Sequence, residues 1–90
     1  MGKSKQKSMQ KSMLIIVCER DIDVDFYSSY EEAYNAMLHD ISEITQIPTE
    51  ELEHFKKDFY GIYPNNKANE AEAWANAPDG NKRDWKIVQI

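Results

Sequence analysis

Ser29-Tyr30-Glu31-Glu32-Ala33-Tyr34-Asn35-Ala36-Met37-Leu38-His39-Asp40-Ile41-Ser42-Glu43-Ile44-Thr45 reads as one amphipathic helix. Ser29 followed three residues later by Glu32 is a capping box, in which the two side chains satisfy backbone N–H groups that the first turn leaves without partners. Behind it, Tyr30, Ala33, Tyr34, Met37, Leu38, Ile41 and Ile44 recur at helical spacing on one face, while Glu31, Glu32, Asn35, His39, Asp40 and Glu43 occupy the other. The spacing predicts a helix over Tyr30 to Thr45.

Upstream, Met13-Leu14-Ile15-Ile16-Val17-Cys18 is a continuous β-branched run too short for a stable helix, and it reads as a central strand. Arg20-Asp21 turns the chain. Ile22, Val24 and Phe26 then alternate with Asp21, Asp23 and Asp25, the period of a half-buried strand with its carboxylates toward water. Downstream, Ile47-Pro48-Thr49 ends the helix, since the proline ring disfavours helical geometry at the residue before it. Thr49 caps an expected second helix, with Glu50 and Glu51 at its positive end and Leu52, Phe55 and Phe59 as its apolar face. Gly61 is the expected stop, and Tyr63-Pro64-Asn65-Asn66 a loop.

Residues 71–76 suit a short helix or a strand. A turn at Ala77-Pro78-Asp79-Gly80, placing Trp74 across from Trp85, favours the strand. Asp84-Trp85-Lys86-Ile87-Val88-Gln89-Ile90 is a closing strand. The expected fold class is therefore α+β: a small antiparallel sheet in ββααββ order with two helices packed on one face.

The chain has 90 residues and a formal charge of −5, and its ionic groups are unevenly spread. All 16 acidic residues lie between Glu19 and Asp84, whereas Lys3, Lys5, Lys7 and Lys11 give the first twelve residues +4 and leave −9 on the rest. That leader holds a tandem repeat, Gln6-Lys7-Ser8-Met9 and Gln10-Lys11-Ser12-Met13, and too little apolar surface to offset the entropy of ordering it. Residues 1–12 are expected to be a disordered tail and 13–90 a single domain. No apolar run is long enough to cross a bilayer. Glu19-Arg20 ends the first run too early for a secretory signal, Val17 is too bulky for a lipoprotein box, and Gln6 spoils a myristoylation motif. One cysteine, Cys18, excludes an intramolecular disulfide, which makes the cytoplasm the expected compartment.

Ala73-Trp74-Ala75-Asn76, a turn rich in Pro, Asp, Gly and Asn, then Asp84-Trp85-Lys86-Ile87 closing at Ile90, together with the helix start Tyr30-Glu31-Glu32-Ala33, resembles a pattern in small proteins of Gram-positive bacteria and their mobile elements. The resemblance covers about two thirds of the chain and its motifs are structural. It implies a compact α+β fold and carries over no catalytic residue.

Chemistry is sparse. Asp21, Asp23, Asp25 and Glu32 match positions one, three, five and twelve of a calcium loop, but Phe26 stands where the loop demands glycine. Charged residues alternating along a strand also suit an edge, where they block sheet-to-sheet association. Cys18 reads as a small strand hydrophobe, and His39 and His54 sit on different elements without ligand spacing. A phosphate loop and a nucleophile elbow are both missing, so no catalytic residue, metal or cofactor is expected.

What remains is surface. Asp21, Asp23, Asp25, Glu31, Glu32, Glu50, Glu51 and Glu53, with Tyr60 and Tyr63 as exposed anchors, form the candidate interaction surface, a negative field suited to a protein with a basic surface. The expected function is a non-catalytic interaction module, and occluding the nucleic-acid-binding groove of its partner is one way to act. The alternative is a small nucleic-acid-binding accessory protein using Lys3, Lys5, Lys7 and Lys11.

Overall fold

The computed structural model describes residues 11–54 and 57–90. Five strands form one antiparallel sheet: β1 (Ser12–Cys18), β2 (Asp21–Tyr27), β3 (Tyr60–Asn65), β4 (Glu70–Asn76) and β5 (Lys82–Gln89), in the order β2-β1-β5-β4-β3. The first and last strands thus meet in the middle. One α-helix among the described residues, α1 (Tyr30–Thr45), follows β2 and packs on one face of the sheet.

The helix has the expected bounds. Ser29 Oγ accepts from the Glu32 N–H at 3.2 Å, and the Glu32 carboxylate reaches back to Ser28, accepting from its N–H at 3.3 Å and its hydroxyl at 2.6 Å. Ala33, Met37, Leu38 and Ile41 are buried against Leu14, Ala71, Ala73, Ala75, Trp85 and Ile87, with Tyr30, Tyr34 and Ile44 half-buried around them. Asp40 accepts from the Trp85 indole N–H at 3.3 Å, which satisfies the one polar atom that the largest core residue brings inside.

The expected ββααββ order with two helices is wrong. The chain runs ββα, one 3₁₀ turn (Thr49–Glu51), then βββ. Of the expected second apolar face, Leu52 is buried and Phe59 is 39% exposed, while Phe55 lies outside the described residues. The segment from Tyr60 is drawn into the sheet instead, where Tyr60 takes a core position and its hydroxyl donates to the Leu52 carbonyl at 2.6 Å. The expected loop at Tyr63-Pro64-Asn65 is the end of β3, an edge strand, which tolerates a proline that a central strand would reject.

Residues 71–76 are strand, but the aromatic pairing that favoured that reading does not form. Trp74 stands across from Asp84 and Ala73 across from Trp85, so the two indoles lie on opposite faces. The turn sets this parity: the Ala77 N–H donates to the Asn81 carbonyl and the Gly80 N–H to that of Ala77, pairing Asn76 with Lys82. The domain begins earlier than Met13, because Ser12 is already in β1 and fully buried, and the Lys11 carbonyl accepts from the Ile90 N–H at 2.9 Å. The rest of the expected tail, residues 1–10, lies outside the described residues.

Candidate interaction surface

The β1–β2 hairpin determines what the candidate surface looks like. Its two-residue loop, Glu19-Arg20, places Glu19 at φ +55° and pairs Cys18 with Asp21, after which the register runs unbroken to Ser12 and Tyr27. Residues directly opposite in an antiparallel pair point to the same face. Asp25 is opposite Leu14 and Asp23 opposite Ile16, so the aspartates share the face that α1 covers further in. They lie beyond its flank and are exposed. Along an extended strand, same-face side chains are spaced roughly 6.6 Å apart, so the three carboxylates form a line and do not converge as in a calcium loop. Among the described residues no ion pair includes Asp21, Asp23 or Asp25. Nearby, the Tyr27 hydroxyl is held above its ordinary pKa by burial, with further contributions from the charges of Asp25 and Asp40.

The same register overturns the reading of Ile22, Val24 and Phe26 as inward residues. They lie on the open face of the sheet, 65%, 43% and 66% exposed. Three rows cross that face: Phe26-Met13-Val88; Val24-Ile15-Lys86-Glu72-Tyr63; and Ile22-Val17-Asp84-Trp74-Gly61. Its β2–β1 half is apolar. Its other half is crossed by Lys86–Glu72 at 3.7 Å and Lys82–Asp84 at 3.8 Å, with Lys82 Nζ 5.6 Å from the Trp74 ring centre. Between the halves lies an open hollow of about 350 Å³ walled by Ile15, Val17, Tyr63 and Trp74. At Gly61 the Tyr63 hydroxyl and the Trp74 indole approach so closely that a Cβ, 2.5 Å and 2.7 Å from them, would have to displace these side chains. Sequence reasoning missed this face, since in a strand whose two rows are aspartate and aliphatic the apolar row is the natural one to turn inward.

The remaining acidic residues of the candidate surface lie on other elements than the aspartate line. Glu31 and Glu32 sit in the first turn of α1, where Glu32 is engaged with Ser28. Glu50, Glu51 and Glu53 belong to the 3₁₀ turn region that Tyr60 ties to β3, the sheet edge opposite β2. Glu53 accepts from the Tyr34 hydroxyl at 2.5 Å; burial first, then this bond, hold Tyr34 well above the usual tyrosine pKa. Of the two expected anchors, Tyr63 is 60% exposed, but Tyr60 is only 5% exposed and is a core residue. Its aromatic body fills the layer beside the small Ala75, with which it pairs.

Among the described residues, one cluster on α1 and one thiol are the groups that bear on metal or nucleophile chemistry. His39, Asp40 and Glu43 bring their ligand atoms within 4.8 Å of one another on α1, but Asp40 is already committed to Trp85 and the other two are exposed. The half-buried Cys18 thiol accepts from Arg83 at 3.6 Å. Among the described residues no helix is long and apolar enough to cross a membrane. No family model matches the chain, and neither a curated protein nor a solved structure matches it.

Proposed function

We propose that this protein is a non-catalytic interaction module that binds a protein with a basic surface. One observation carries the reading: three exposed aspartates stand in line on an outermost strand, with no cation among the described residues paired to them. A line of uncompensated charge steers and orients an oppositely charged partner more than it stabilises its own fold. Basic surfaces of this kind commonly serve nucleic-acid binding, so occlusion of such a surface is the action proposed. The single half-buried thiol supports a reducing compartment, the cytoplasm.

The test is fluorescence anisotropy with a labelled Lys/Arg-rich peptide across a salt series. Binding that weakens with salt, and is lost in the Asp21→Asn/Asp23→Asn/Asp25→Asn variant, is the expected result. A salt-dependent shift with single-stranded RNA instead, abolished by changing Lys3, Lys5, Lys7 and Lys11 to Gln, overturns it in favour of a nucleic-acid-binding leader.

A further inference from the structure

The two edges of the sheet are not equivalent. β3 carries Pro64, which lacks an N–H and blunts that edge as a template for another strand. β2 has no proline and no break in register over its seven residues, and β1 occupies only one of its sides. Among the described residues, no backbone hydrogen bond outside that hairpin involves residues 21–27. No described strand thus occupies its outer N–H and C=O groups, which are oriented to pair with an incoming strand.

The side chains specify which strand fits. An added strand sets its residues about 4.5–5.5 Å from those of β2, face matched to face. On one face it meets Asp21, Asp23 and Asp25; on the other it meets the exposed Ile22, Val24 and Phe26. A second copy of the chain does not satisfy this. Two-fold pairing of two β2 edges into one continuous sheet keeps each face on its own side and opposes aspartate to aspartate, which is repulsive. A strand of mixed chemistry satisfies both rows together.

We infer that the partner docks by strand addition along β2, through a segment in which Lys or Arg alternates with β-branched or aromatic residues. This inference rests on the basic-partner reading above and specifies its geometry: main-chain bonds hold the segment, the aspartates select its cations, and the open-face row selects its apolar residues.

Two labelled peptides of identical composition test it against the full chain, one alternating Lys and Val, the other with its lysines and valines in separate blocks. The alternating peptide is expected to bind at least about tenfold more tightly. It should also slow amide exchange within residues 21–27, and lose its affinity when its alternate amides on the pairing edge are N-methylated. Ile22→Thr/Phe26→Thr, which keeps strand propensity and the aspartates, should weaken the alternating peptide and leave the block peptide unchanged. Equal binding of the two peptides without protection of β2 overturns strand addition while the basic-partner reading stands. Binding of neither overturns both.

Discussion

Tyr60 shows how one side chain can redirect a segment. Its ring is buried and its hydroxyl donates to the Leu52 carbonyl, so it fills core volume and closes the turn after α1 with a single group. Tyr60→Phe keeps the ring and strips that carbonyl of its donor, which is expected to cost about 1–2 kcal/mol in urea unfolding with an unchanged m value. A second tyrosine gives a pH signature. Tyr34 is protonated more tightly in the fold than in the unfolded chain, through burial first and then its bond to Glu53. Below the unfolded tyrosine pKa of about 10 both states hold the proton and the stabilisation is complete. As pH rises past that value the unfolded chain ionises first, so stability falls from there upward. Tyr27, Tyr30 and Tyr60 are shifted in the same direction, by burial foremost. Tyr34→Phe should therefore flatten the alkaline limb of a stability–pH profile and leave its slope near neutrality untouched.

At the scale of elements, the helix and the hairpin strands were legible because each carries a periodic pattern and a local signal of its own. Ser29 and Glu32 mark where α1 begins, and Ile47-Pro48 where helical geometry must end. The stretch from Thr49 to Asn65 misled for a physical reason: Thr49, Glu50 and Glu51 do start a helical turn, but helix propensity loses to the need of β4 for a neighbour. Tyr60-Gly61-Ile62-Tyr63 is the only segment there with strand character, and that demand is invisible until the sheet order is known. Face assignment failed likewise at Ile22, Val24 and Phe26 and at Trp74, where a parity fixed by the turns decides each side. Within the candidate site, the aspartate line was legible as charge; the apolar row behind it and the burial of Tyr60 were not. The alanines of β4 are informative in turn. Ala71, Ala73 and Ala75 give the helix room to approach beside the bulk of Trp85, and all three are buried. Ala73→Leu forces that bulk into a filled layer and is expected to lose about 1–3 kcal/mol, read as a lowered thermal midpoint with the helical circular dichroism retained.

For the whole molecule, the sheet's β2 edge, which no other described strand covers, and its apolar open half bear on self-association. Burying Ile22, Val24 and Phe26 against a second copy is favourable on area alone, and the backbone of β2 would welcome another strand. The aspartates oppose it. In the continuous sheet made by two-fold pairing, the register that centres on Asp23 sets Asp23 against its own copy and Asp21 against Asp25 on either side, and registers shifted by one pair still oppose aspartate to aspartate, so repulsion acts along that row. On the proposed reading, charge on this strand performs two tasks, repelling like edges and admitting basic ones. Sedimentation velocity should accordingly find a monomer for the natural chain at low ionic strength, shifting toward dimer as salt screens the carboxylates. Asp21→Asn/Asp23→Asn/Asp25→Asn should self-associate at all salt concentrations, since the amides remove the repulsion and leave both the open edge and the apolar row in place. A variant that stays monomeric throughout would show that something other than the aspartates keeps these edges apart.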